Sequence, residues 1–255
     1  MVSVCMATYN GEKYISKQIE SILPQLSSED EIIISDNDST DNTLNIIEKI
    51  NDNRIKIFIL KQKNIKSHWS KFYNITANFE NAINHSSGDI IIFCDQDDIW
   101  KENKINILRL ALNKKDCVFS NYSIINENDE IIFSKKHIVN PLNKPIKVLF
   151  FPPFLGCTIG IKRNFLKYFL PFHRKLILHD IYIGLLAYFT NRIYFIDDVL
   201  TFYRCHRENI TTASHGKTKN NLFWIISWRL EFYYIIILAL FRYIWKTGKK
   251  SYKNK

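Results

Sequence analysis

The chain has 255 residues, of which 46% are apolar and 24% charged, with only seven glycines and six prolines. That length allows one large core or two fused lobes, and the composition excludes a disordered, collagen-like or linker-rich protein. Lysine and arginine outnumber acidic residues 35 to 25, a formal charge of +10. Such an excess calls for an anionic partner without choosing among nucleotide phosphates, phospholipid headgroups and nucleic acid.

Val2 to Ala7 (VSVCMA) reads as a buried strand. No charged segment followed by a long apolar one precedes it, so no signal peptide is expected. Tyr14, Ile15, Ile19, Ile22 and Leu23 recur with helical period from Glu12 to Leu23, and Pro24 ends that helix. Glu31 to Ser35 is a second strand, after which DNDSTDNT supplies turn and capping residues for a helix reaching Lys49. Arg54 to Leu60 alternates as a strand. A polar, basic loop from Lys61 to Ser70 leads to a helix from Phe72 to His85. Ile90 to Cys94 forms a strand that runs into DQDD, and a further helix begins near Lys101. Strand-helix repetition calls for a parallel sheet with helices on both faces, whose ligands gather beyond the carboxyl ends of the strands. The polar stretches TYNGE, SDNDSTD and DQDD all lie at such ends and converge on one crevice.

The second half is less regular. Cys117 to Ile125 and Glu130 to Ser134 form a hairpin around NEND, and Gly156 to Ile161 (GCTIGI) forms a strand. Helices are expected from Arg163 to Leu170 and from His179 to Asn191, then two short strands, IYFID and VLTFYR. The stretch from Asn221 to Trp245 is rich in aromatic residues and isoleucine but is interrupted by Arg229, Glu231 and Arg242. Its longest charge-free piece after Arg229, Phe232 to Phe241, is too short to cross a bilayer. Two readings stay open: an interfacial helix with basic flanks, or a helix docked on the protein's own core. The five cysteines lack a C-x-x-C pair and mostly sit in apolar runs, as buried free thiols in a reducing compartment do.

Asp95, Asp97 and Asp98 are the first candidates for chemistry. Adjacent carboxylates repel one another unless a cation or donors sit among them, and Mg²⁺ or Mn²⁺ takes oxygen ligands while bridging to phosphates. An acidic turn capping the next helix is the plainer reading of the same residues. Asp36, Asn37, Asp38 and Asp41 can accept from a base or ribose, although Ser39, Asp41 and Thr43 are also ordinary capping residues. Ala7, Thr8, Tyr9 and Asn10 place an aromatic ring beside small polar groups. Asp180 stands at the start of an apolar helix, either as a cap favoured by the macrodipole or as a general base. Arg204, His206, Arg207 and Asn209 lie together beyond a strand, as diphosphate donors or as a solvated basic loop.

Taken in order, VSVCMATYNGEKYISKQIESIL, EIIISDNDSTDNT, GDIIIFCDQDDIW, GCTIGI, HDIYIGLLA and YRCHRENIT resemble the family 2 glycosyltransferases. More narrowly, they resemble the bacterial rhamnosyl- and galactosyltransferases of surface-polysaccharide assembly. The resemblance runs from Val2 to about Thr212 and implies an α/β GT-A fold with a Rossmann-like, mostly parallel sheet. It also implies inverting, metal-dependent transfer from a nucleoside-diphosphate sugar, dTDP-rhamnose or a UDP-hexose, to a glycan or lipid-linked acceptor. Residues 1–100 would form the nucleotide-sugar half, 101–215 the acceptor half, and 216–255 an amphipathic helical tail. Ala7, Thr8, Tyr9, Asn10, Asp36 and Asn37 would line the base and ribose pocket. Asp95, Gln96 and Asp97 would meet the donor, and Asp97 and Asp98 the Mn²⁺ or Mg²⁺ ion. Asp180 would be the catalytic base, and Arg204 and His206 diphosphate contacts. The loop from Lys61 to Ser70 would close over the donor. The enzyme would work on the cytoplasmic side, its tail on the inner-membrane surface, with no nucleic acid partner. Two departures stand out: Asn37 replaces an acid, and Asp38 replaces a glycine, which a left-handed backbone accommodates. Nucleotidyl transfer would want a Gly-rich phosphate loop near the N-terminus, and ATYNGE has one glycine. A non-catalytic membrane-surface protein would not depend on Asp97 or Asp180.

Overall fold

The computed structural model describes residues 1–61, 69–134, 140–206 and 222–253. Alternation along the first strand sets a two-sided architecture. In β1 (Val2–Thr8), Val4 and Met6 join one core and Cys5 the other. β1 pairs in parallel with β2 (Glu31–Asp36) and with β4 (Ile90–Cys94), and β2 pairs in parallel with β3 (Ile55–Ile59). Beyond β4 the sheet continues through β8 (Ile159–Lys162), β6 (Cys117–Ile125), β9 (Ile193–Arg204) and β5 (Ile99–Trp100), with β7 (Ile131–Phe133) on β6. Only β6 and β9 are parallel in this second half; β8 runs against both its neighbours, as β5 does against β9.

Three helices, α1 (Ile15–Ile22), α2 (Thr43–Ile50) and α4 (Lys104–Leu112), cover one face, where Ile19, Ile47 and Leu108 pack with Val4, Met6 and Ile92. On the other face lie α3 (Ser70–His85), α5 (Pro145–Phe150), α6 (His179–Phe189) and α7 (Leu222–Lys253). There Phe79, Val148, Leu186 and Ile235 meet Cys5, Ile33 and Phe93. Cys5, Cys94, Cys117 and Cys157 are buried and Cys205 half-buried, all as free thiols.

Several elements differ from expectation for local reasons. α1 starts at Ile15 because the Gly11 carbonyl first closes a turn on the Tyr14 and Ile15 N–H groups. Past Ile22 the chain tightens into a 3₁₀ turn, Leu23–Gln25, which tolerates Pro24 near its start. Arg163–Tyr168 is likewise 3₁₀. The helix after DQDD waits until Lys104, because Ile99 and Trp100 first pair with Phe202 and Thr201. IYFID and VLTFYR form one strand: the register shifts opposite Ser120–Tyr122, and the Asn121 amide donates to the carbonyl and carboxylate of Asp197, absorbing the acidic pair. The expected donor-covering loop falls mostly on residues 62–68, outside the described residues.

Candidate active site

Loops leaving the carboxyl ends of β1, β2 and β4 are sewn into one rim. The Gln96 side chain accepts from the Tyr9 N–H (2.8 Å) and donates to the Tyr9 carbonyl (3.0 Å). A Cβ at Gly11 would lie 2.5 Å from Gln96 Oε1, so the missing side chain lets that amide through. Asn10, at φ 48°, donates its N–H to Ser39 Oγ (2.9 Å) and accepts from the Thr40 N–H (2.9 Å). Asp36 is fully buried and accepts from the Thr8 hydroxyl (2.7 Å), the Ser39 N–H (2.8 Å) and the Ser39 hydroxyl (2.6 Å). Thr8 is equally buried, so it acts on the rim through Asp36. Asp38 has φ 63°, the left-handed conformation that glycine's place demands. Asn37 extends the β1–β2 ladder by donating its N–H to the Thr8 carbonyl (2.9 Å), Ala7 is half-buried, and Tyr9 is exposed.

At the end of β4 the three carboxylates part company. Asp97 Oδ2 lies 2.8 Å from His206 Nε2, and both side chains keep some exposure, 14% and 9%. Asp98 is fully buried; its Oδ1 accepts from the Arg204 N–H (2.9 Å), and Oδ2 has no hydrogen-bond partner among the described residues. Burial, then the charge of Asp97, pushes the Asp98 carboxyl up to about 7. Burial and the charges of Asp98, Asp97 and Asp180 likewise hold the Asp95 carboxyl well above the usual range.

Arg204 differs from the expectation of a diphosphate contact. It is fully buried, with Nε donating to the Asp97 carbonyl (2.7 Å), Nη1 donating to the Asn126 carbonyl (2.9 Å) and pairing with Asp129 (2.5 Å), and its guanidinium 4.6 Å from the Tyr14 ring centroid. It therefore holds the acidic loop from behind. Arg207 and Asn209 lie outside the described residues.

Sequence reading missed Lys104. Its ammonium is buried, donates to the Cys157 carbonyl (2.7 Å) and Thr201 Oγ1 (2.8 Å), and sits 3.9 Å from the Trp100 ring centroid. Burial lowers its pKa to about 8, against the opposing pull of Cys157, Cys94, Asp98 and Asp95. A signal was available: Lys104 shares the apolar face of α4 with Leu108 and Ala111, at i+4 and i+7.

Asp180 sits in the first turn of α6 with Oδ1 accepting from the Ile181 N–H (2.8 Å), and its charge reaches Asp95. His179 beside it is a packing residue, 4.4 Å from the Phe79 ring and kept neutral because burial lowers its pKa. Asp98, expected to bind metal, is fully buried, with one carboxylate oxygen lacking a hydrogen-bond partner among the described residues. Asp95, Asp98 and the Cys157 sulfur lie within 4.8 Å of one another, a group that could hold a metal ion, and without a cation burial raises the Cys157 thiol well above its ordinary value. Asp97 with His206 offers a second set of donor atoms, an oxygen and an imidazole nitrogen at the edge of solvent.

A parallel half-sheet joined to a mixed half, with a D-x-D-D turn at the junction, is the arrangement of a GT-A fold. The chain belongs to glycosyl transferase family 2, whose model matches residues 3–186. It is 34% identical over 225 residues to the dTDP-rhamnosyl transferase RfbG of Shigella flexneri, covering 82% of this chain and 74% of RfbG. Over 163 residues it is 32% identical to the Escherichia coli UDP-Glc:alpha-D-GlcNAc-diphosphoundecaprenol beta-1,3-glucosyltransferase WfgD, covering 63% and 57% of the two chains. In fold it is similar to S. aureus TarS 1-349 in complex with UDP-GlcNAc, with TM-score 0.66 and 18% identity over 95% of this chain and 66% of that one. It is also similar to the mannosyltransferase PcManGT of Pyrobaculum calidifontis in complex with GDP-Man and Mn²⁺, with TM-score 0.57 and 18% identity over 82% and 58% of the chains. The match thus spans less than two thirds of WfgD, TarS 1-349 and PcManGT.

Proposed function

We propose that this protein transfers a sugar, with inversion, from a nucleoside-diphosphate sugar to a glycan or lipid-linked acceptor of surface-polysaccharide synthesis. The observation that carries the reading is the meeting of Asp97 and His206, 109 positions apart in sequence, at the carboxyl end of β4. dTDP-rhamnose and UDP-hexoses are the donor candidates, in keeping with the names of RfbG and WfgD. Residues 1–100 are assigned to the donor, 101–215 to the acceptor and 216–255 to the tail. The enzyme is assigned to the inner face of the cytoplasmic membrane.

Tyr9 and Asn37 receive the base and ribose on a rim held by Asp36, Thr8, Asn10 and Gln96, with Ala7 at its floor. Asp97 and His206 would hold a divalent ion, and the imidazole nitrogen would favour Mn²⁺ over the harder Mg²⁺. Such an ion neutralises charge on the leaving diphosphate. Arg204 holds Asp98 and the loop in place, so Asp97 does not relax away. Asp180 takes the proton of the acceptor hydroxyl as that oxygen attacks the anomeric carbon. The new bond forms on one face while the bond to diphosphate breaks on the other, which inverts the centre.

A panel of nucleoside-diphosphate sugars with Mn²⁺ and lipid-linked or free glycan acceptors, read as nucleoside diphosphate released, tests this. Release with one donor, lost in Asp97→Ala, is expected. No release from any donor with any acceptor overturns the reading.

A further inference from the structure

α7 carries apolar residues on two opposite faces. Phe232, Ile235, Ile236 and Ala239 are buried against the protein. On the far side Tyr234, Ile237, Phe241, Ile244 and Trp245 stand in solvent, with Phe241 66% and Trp245 60% exposed. At 100° per residue, every residue between 230 and 245 that falls on this outer face is apolar or aromatic. The Tyr233 hydroxyl donates to the Leu149 carbonyl (2.8 Å), bringing α5 alongside. α5 adds Ile146, 76% exposed, with Phe150 and Phe151, around a hollow of about 420 Å³ that Lys144 and Lys147 also line.

We propose that the outer face of α7 together with α5 docks flat on a bilayer surface bearing anionic lipid. Among the described residues no helix is long and apolar enough to cross a membrane, whereas an exposed aromatic-rich stripe with basic neighbours suits the interface. Charge selects the occupant. Lys144 and Lys147 line the hollow beside the patch, Arg242 follows Phe241 at its edge, and KTGKKSYKNK follows it in sequence. Residues 140–155 contain no acidic residue, and α7 contains only Glu231, which is paired with Lys175 (2.9 Å). A second copy would bring these cations against their own kind, while anionic headgroups complement them.

The face is also fixed relative to Asp180. Lys175–Glu231 ties α7 to the segment leading into α6, and further along α7 the Tyr243 hydroxyl accepts from Arg192 Nε (2.9 Å), just past the end of α6. α6 and α7 therefore run side by side in the same direction. Bilayer contact would set the height of Asp180 above the lipid plane. This last consequence rests on the transferase reading; the binding itself does not.

The test is flotation of the full chain with vesicles of phosphatidylcholine alone or with phosphatidylglycerol. Wild type is expected to float with the anionic vesicles and to detach as salt rises. Ile237→Glu/Phe241→Glu and, separately, Ile146→Glu/Phe151→Glu are expected to weaken binding at least ten-fold, with circular dichroism and donor turnover in solution unchanged. Equal binding by the variants, or equal binding to both vesicle types, overturns the proposal. So does a lipid-free dimer, seen by light scattering, that the α7 variant converts to monomer. Failure of donor turnover alone would count against the transferase and leave vesicle binding as it stands.

Discussion

Asp98→Asn isolates the electrostatic cost of the acidic turn. Asparagine keeps the shape and the acceptor for the Arg204 N–H, but it cannot ionise. Burial pushes the Asp98 carboxyl up to about 7 from its ordinary 3.8. An acid whose folded pKa is raised stabilises the fold fully below the unfolded value, and that contribution is lost as pH climbs through the interval. At about 1.4 kcal/mol per decade of pH, the whole interval is worth about 4 kcal/mol, of which about 3 lies between pH 5 and pH 8. The substitution also takes a neighbouring charge from Asp95, which acts in the same direction. Urea unfolding followed by tryptophan fluorescence, in chelator and at pH 5 and pH 8, measures the difference. The variant should gain about 3 kcal/mol on wild type between the two pH values. A gap that stays constant with pH would show that Asp98 is already ionised at low pH and that burial is not what governs it.

Three further outcomes are expected. His206→Ala should weaken Mn²⁺-dependent turnover by at least about 100-fold while leaving the melting temperature within a few degrees; a titration of Mn²⁺ against initial rate separates loss of metal from loss of fold. Asp180→Asn should lower kcat by about 10²- to 10⁴-fold with nucleotide binding by calorimetry unchanged. Gly184→Ala should cost about 1–3 kcal/mol in thermal unfolding, because the added Cβ would lie 2.2 Å from the Phe154 ring.

What sequence reading could reach was set by period and by position along a strand. β1, β2 and β4 were legible because their apolar runs end abruptly in carboxylates, amides and turn residues, and a parallel sheet puts those ends together. Arg204 was misplaced because a cation beside His206 looks like a phosphate donor. Nothing local reveals that β9 turns it inward, onto carbonyls of the acidic loop and the hairpin. Lys104 reads as a solvated first-turn lysine unless its place on the apolar face of α4 is weighed above its charge. α7 defeated a choice between docking and exposure because both are present: one face packs on the core and the opposite one remains in solvent.

The link from β9 back to the β4 turn also orders events in time. Arg204 and His206 reach Asp98 and Asp97 across 106 and 109 positions, whereas the rim at the ends of β1 and β2 is closed by contacts confined to residues 8–96. During synthesis the rim has all its partners once β4 has emerged, while the acidic turn waits for about a hundred more residues. Until then Asp95, Asp97 and Asp98 face one another without their backbone donors or His206. A chain stopped before β9 would keep the rim of Tyr9, Asp36 and Gln96 and leave the acidic turn without Arg204 and His206.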